Sequence, residues 1–182
     1  MSVSQPRIRS FVAVEFGSSF RDHFEACQQH LSSEVAGALR FTKRHQFHLT
    51  LIFLGDRTTV ELEEIDATLR TIRHPPLSME CVGYDFFNSS TIYAKIAGAD
   101  SLAKVVKEKL LPLHGAQGHS SFIGHATLAR IKKKKSPASL IRLLDTLPLL
   151  SDISTAEKFH LYQSNISHLG ADYSVLETYY LG

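Results

Sequence analysis

The sequence predicts an α+β protein with largely antiparallel sheets, organised as two similar halves of one domain spanning residues 1–182. Three observations carry this. Segments with strand character outnumber helical ones, and their order is neither a regular alternation nor two segregated blocks. A strand bearing His-x-Thr-Leu also occurs twice, as His48-Leu49-Thr50-Leu51 and as His125-Ala126-Thr127-Leu128. In each half a strand leads into a helix and a later strand carries this tetrad. The interval between the copies is too long for a solenoid repeat and suits internal pseudo-symmetry.

The elements run in order along the chain. Ile8–Phe16, rich in Val, Phe and Ile, reads as a strand. Gly17-Ser18-Ser19 opens a helix whose Phe20, Phe24, Cys27 and Leu31 recur at helical spacing. Ser32–Arg44 has no period and reads as a loop. Phe47–Leu54 is an apolar strand closed by Gly55-Asp56. Thr58 and Glu61 stand at capping-box spacing before a helix with Leu62, Ile65, Leu69 and Ile72 on one stripe, ended by Pro75-Pro76. Met79–Phe87 and Thr91–Ile96 form two strands joined by a turn at Asn88-Ser89-Ser90. A helix with Leu102, Val105, Val106 and Leu110 on one face stops near Pro112, and Gly124–Ile131 is the next strand. Ser136-Pro137 caps a helix carrying Leu140, Leu143, Leu144 and Leu147. Strands at Glu157–Asn165 and Tyr173–Leu181 close the chain.

Composition bounds the function loosely. Hydrophobic residues make up 43% and charged residues 21%, an ordinary globular balance that argues against disorder. A formal charge of +2 carries no general affinity for polyanions, so any nucleic-acid site must be local. Cys27 and Cys81 read as free thiols rather than a cystine framework. The residues from Met1 to Arg9 hold no apolar signal core, and no run approaches a membrane span, so the expected location is the cytoplasm.

The chemistry lies in the repeated tetrad. Side chains two apart on a strand share a face, so His48 points with Thr50 and His125 with Thr127. Phe47, Leu49, Leu51 and Phe53 then cover the opposite, core-facing side. Two imidazoles and two hydroxyls facing one cleft suit phosphodiester hydrolysis. One imidazole takes a proton from water, the other protonates the leaving sugar oxygen, and the hydroxyls donate to the non-bridging oxygens. A metal centre is the rival reading, weakened because the strand partner of each histidine is threonine rather than a ligand; His-Glu-x-x-His and a glycine-rich phosphate loop are absent. No cofactor is expected.

On these residues the chain resembles the two-histidine phosphoesterases, and within them the bacterial and archaeal RNA 2',3'-cyclic phosphodiesterases also called 2'-5' RNA ligases. The likeness begins at Arg9-Ser10-Phe11-Val12-Ala13-Val14-Glu15 and runs through Phe47–Gly55 and His125–Arg130 to Phe159–Ser164 and Tyr173–Glu177. It implies a bilobal fold with the cleft between lobes. It also implies metal-independent opening of a 2',3'-cyclic phosphate to a 2'-phosphate, and in some members reversible 2'-5' joining of transfer RNA halves. By similarity His48 and His125 are the acid–base pair, with their order open, and Thr50 and Thr127 bind phosphate. Arg130 matches a family arginine that binds phosphate, although strand parity turns it away from His125 unless a bulge intervenes. Relatives often carry proline where this chain has Gly124, which implies a more flexible approach to the second motif. They also carry a tryptophan near the first motif, where Phe41, His45 or Phe47 is left to stack on a base.

The expected partner is RNA with a 2',3'-cyclic phosphate end, bound by a monomer with no membrane contact. Lys43, Arg44, Phe47, Lys132 and Lys133 are candidate RNA contacts, weighed against a solvated-loop reading of the lysine run 132–135. His114 and His119 border the cleft in a glycine-rich loop, while His160, Tyr162 and His168 read as structural or exposed. Two alternatives stand beside the enzyme: a non-catalytic module that binds RNA or nucleotide phosphates, and a phosphodiesterase acting on small cyclic nucleotides.

Overall fold

The β-branched and aromatic run near the N-terminus forms strand β1 (Ile8–Glu15), whose alternate residues Val12, Val14 and the following Phe16 enter the main core. The structure is a computed structural model describing residues 6–35, 37–114, 121–132, 136–167 and 170–182. Beyond β1 the order is α1 (Ser18–Glu34), β2 (Leu39–Phe41), a 3-10 turn (Arg44–Gln46), β3 (His48–Arg57), α2 (Thr59–Leu69), β4 (Leu77–Phe87), β5 (Thr91–Ala97), α3 (Asp100–His114), β6 (His125–Ile131), α4 (Pro137–Leu144), β7 (Ile153–Ala156), β8 (Lys158–Ser167) and β9 (Gly170–Tyr180).

The strands form two antiparallel sheets, β3-β1-β8-β9 and β2-β6-β5-β4-β7. The expected α+β class with antiparallel sheets and flanking helices is what the chain adopts. Internal symmetry is visible in the ladders. The first motif strand β3 pairs with β1, and the second motif strand β6 pairs with β5. Two helices leave one sheet and cross to the other: α1 follows β1 yet packs on β6, and α3 follows β5 yet packs on β3 and α2. This exchange ties the sheets together through one shared core.

Several expectations change. The stretch read as a loop holds the end of α1, the edge strand β2 and the 3-10 turn. Strand β2 is only three residues long and exists because β6 offers it a free edge, a tertiary cause that no local period reports. The third helix runs through Pro112 to His114, since the proline removes one hydrogen bond only at the helix end. Strand β7 had no signal beyond Ile153 and Thr155. Ile72 and Leu147, expected on helical stripes, are buried just beyond the ends of α2 and α4. The Thr58–Glu61 capping box forms as spaced, with Thr58 N–H donating to Glu61 Oε2 at 2.7 Å and Glu61 N–H to Thr58 Oγ1 at 3.3 Å.

Two irregularities position the functional strands. In β3, Ala13 faces Thr50 while Val12 faces Ile52, so Leu51 is an extra residue. In β6, Tyr93 faces Thr127 while Ile92 faces Ala129, so Leu128 is an extra residue. Each bulge falls immediately after the motif threonine and inverts the parity of the residues that follow it, in β3 as far as a second bulge at Leu54. The Leu128 carbonyl accepts from Thr42 N–H at 3.0 Å and from the buried Gln28 Nε2 at 2.8 Å. A bulge in the core is thereby left without an orphaned acceptor. Between β4 and β5, Asn88 and Ser89 both have positive φ (47° and 51°), as the centre of a type I′ turn closed by Ser90 N–H donating to the Phe87 carbonyl at 2.9 Å requires.

Candidate functional site

The two motif strands bring their side chains to one cleft of about 600 Å³. Its walls include His48, Thr50 and Phe53 from β3, and His125, Thr127 and Arg130 from β6. The parity argument therefore pairs each histidine with its threonine, and the fold brings the two pairs together.

The imidazoles are held alike. His48 Nδ1 lies 2.7 Å from the carbonyl oxygen of Gln46, and His125 Nδ1 lies 2.8 Å from that of Ile123. A carbonyl only accepts, so each Nδ1 carries a proton and donates it. That leaves each Nε2 as the atom free to exchange a proton. Aromatic rings brace both. His48 sits 5.0 Å from Phe11 and 5.1 Å from Tyr173, and His125 sits 5.1 Å from Phe87 and 5.4 Å from Tyr93, centroid to centroid.

The backbone leading to His125 is tighter than the sequence suggested. A Cβ at Gly124 would collide with the carbonyl of Ile96, whose own N–H donates to the Gly124 carbonyl at 2.8 Å. Glycine is present because β5 approaches too closely for a side chain, which corrects the expectation of a flexible approach.

Beside His48 lies a half-buried carboxylate that sequence reasoning missed. Glu15 faces His48 directly across the β1–β3 ladder. Its carboxylate accepts from the Tyr162 hydroxyl at 2.7 Å and from Arg21 at 3.3 Å. Burial pushes the Glu15 carboxyl up, but the Tyr162 hydrogen bond, His160, Arg21 and Lys158 outweigh it and hold it below the usual carboxylate range. The available signal was parity, since Phe11, Ala13 and Glu15 share the cleft side of β1. His48 itself is held below the ordinary histidine range. Burial is the main cause and the nearby His125 adds to it, against the opposing pull of the Gln46 carbonyl and Glu15.

Arg130 enters the cleft because of the Leu128 bulge, which resolves the parity conflict seen in the sequence. The matching bulge at Leu51 turns Phe53 into the cleft, where it is 61% exposed. Its expected core position is therefore wrong, because the alternation is broken two residues earlier. Phe41 and Lys43 line the cleft.

Other expected contacts lie elsewhere. Phe47 is 2% exposed and packs edge-on against Phe24 at 5.2 Å, so it is a core residue and cannot stack on a base. Arg44 turns away to Asp22 at 2.6 Å and to Glu25, two carboxylates on α1 that satisfy its guanidinium outside the cleft. His45 is exposed, 3.8 Å from Asp172. Lys132 is exposed at the end of β6, where its N–H donates to Ala38, and is not among the cleft residues. Lys133, His119 and His168 lie outside the described residues. His160 is buried and structural, its Nδ1 2.9 Å from Thr178 Oγ1.

Among the described residues, no group of three or more His, Cys, Asp or Glu side chains stands ready to hold a metal ion. Nor is any helix long and apolar enough to cross a membrane.

One buried and two half-buried histidines set a pH dependence. His23, His48 and His160 are all lowered, in each case mainly by burial. Below about pH 6.5 the unfolded chain therefore binds protons that the folded chain refuses. Stability is full above that value and is lost as pH falls through the folded-state values. The thermal midpoint should hold level from pH 8 to 7 and drop steadily from 6.5 to 5. A midpoint unchanged down to pH 5 would contradict the burial of these rings.

Comparison with known proteins adds an independent line. Residues 14–97 match the family model described as LigT like Phosphoesterase. The RNA 2',3'-cyclic phosphodiesterase of Aquifex aeolicus is 25% identical over 96% of this chain and 98% of its own length. The Archaeoglobus fulgidus protein of the same name is 27% identical over 94% and 99%. A crystal structure from Thermus thermophilus superposes with a TM-score of 0.82 at 25% identity, covering 95% of this chain and 97% of its own.

Proposed function

We propose that this chain, a LigT-like phosphoesterase, hydrolyses RNA 2',3'-cyclic phosphate ends to 2'-phosphates by metal-independent acid–base catalysis. The observation that carries the reading is the matched hydrogen bond of each imidazole to the carbonyl two residues before it. Both Nε2 atoms are thereby left free, and both histidines and both motif threonines line one cleft.

Burial disfavours the cationic form of His48, which suits it to accept a proton at neutral pH. In the proposed step, His48 Nε2 takes a proton from water as the water oxygen bonds to phosphorus. The bond from phosphorus to O3' breaks, and O3' takes the proton of His125 Nε2. The products are a 2'-phosphate and a free 3'-hydroxyl. The Thr50 and Thr127 hydroxyls donate to the non-bridging oxygens as charge builds, and Arg130 keeps the same cleft positive. With a 5'-hydroxyl in place of water, the same displacement of O3' yields a 2'-5' linkage, which is the chemical basis for a ligase activity in this site.

A short RNA ending in a 2',3'-cyclic phosphate, incubated with the enzyme in EDTA, should be converted to the 2'-phosphate. Phosphorus NMR distinguishes this product from the 3'-phosphate. Turnover abolished by chelation and restored by a divalent metal would refute the metal-free reaction. Binding without conversion, with or without added metal, would identify a non-catalytic module.

A further inference from the structure

The β2–β6 ladder sets Arg40 directly opposite Arg130. Residues paired in this way project from the same face, and like charges so placed oppose folding. Both are exposed and both line the cleft. Among the described residues neither forms an ion pair with a carboxylate, whereas Arg44, four positions along from Arg40, is held by two. Lys43 adds a third cation to the same wall, also without a carboxylate partner among the described residues. The repulsion is stored beside the site and is relieved by an anion bound between the two guanidinium groups.

The position identifies the anion. Arg130 follows Thr127 by three residues, with Leu128 bulged out, so the arginine pair stands about 7–10 Å along the strand from the threonine hydroxyls. That is of the order of one nucleotide step in an RNA chain. On the opposite motif strand the residue equivalent to Arg130 is Phe53, five positions after its histidine and likewise turned inward by a bulge. One wall therefore offers cations where the other offers an aromatic face.

We propose that Arg40 and Arg130 form a second phosphate subsite, which binds the 5'-phosphate of the nucleotide whose 2',3'-cyclic phosphate lies between the histidines. This rests on the proposed hydrolysis and narrows its substrate: the enzyme selects chain ends and 5'-phosphorylated nucleotides over nucleoside 2',3'-cyclic phosphates. Two forked guanidiniums on one phosphate give charge-assisted, bidentate recognition.

The test is calorimetric and needs no turnover. Adenosine 2',5'-bisphosphate and adenosine 2'-monophosphate are titrated into the wild-type protein and into Arg40→Gln. The 5'-phosphate should tighten Kd about tenfold or more in the wild type, the gain expected of a charge-assisted contact. In Arg40→Gln most of that gain should vanish. The ligand-free variant should melt no lower than the wild type, because it loses a like-charge opposition. No gain in the wild type, an undiminished gain in Arg40→Gln, or a destabilised variant would each overturn the subsite. Failure to hydrolyse a 5'-phosphorylated 2',3'-cyclic nucleotide, with the affinity difference intact, would refute the hydrolysis and leave the subsite standing.

Discussion

Replacing His125 by alanine is expected to lower kcat by ~10²–10⁴, the usual worth of one positioned proton-transfer group. His48→Ala should fall in the same range. The two losses should not multiply in the double variant, because one concerted displacement needs both transfers. The fold should survive, since His125 is only half-buried and its ring bonds merely to a local carbonyl, Ile123. Single-turnover rates on a 2',3'-cyclic substrate, with thermal midpoints for each variant, make the measurement. A His125→Ala protein with near wild-type kcat would remove β6 from the chemistry and with it the symmetrical reading of the cleft.

The second large effect concerns the threonines. Thr127→Val keeps the shape of the side chain and deletes one hydrogen-bond donor. If that hydroxyl meets charge that develops only as O3' departs, kcat should fall by ~10²–10³ while KM moves little. Thr50→Val should behave likewise, and Thr50 is the cleaner probe because it is 9% exposed and valine suits its surroundings. Serine at either position should restore most of the rate. A change confined to KM would assign the hydroxyls to ground-state binding instead.

The sequence by itself determined which histidine and threonine share a face and the class of fold. His-x-Thr on an apolar strand obliges both side chains to one face, because the strand period is two whatever the protein around it. Duplication of that strand announced two motif strands, each paired antiparallel in its own sheet. Helix starts were equally local: Thr58 and Glu61 cap as their spacing requires, and Ser136 accepts from the N–H of Ser139 at 3.3 Å before Pro137.

What only the tertiary structure decided are the features with no local cause. Strand β2 exists because β6 has an edge to fill, and Arg40 faces Arg130 for that reason alone. The bulges at Leu51 and Leu128 moved Phe53 out of its expected core position and brought Arg130 in, since one inserted residue reverses the side chains that follow it until the next bulge. Phe47 and Arg44 find their partners on α1, Phe24 for the first and Asp22 and Glu25 for the second, which no local pattern reports. Glu15 and Tyr162, far apart in sequence, meet only because β8 pairs with β1. Local chemistry reads out over a few residues. Which strands become neighbours, and where a ladder slips by one, depends on burying both sheets against one core, and that energy belongs to the whole chain.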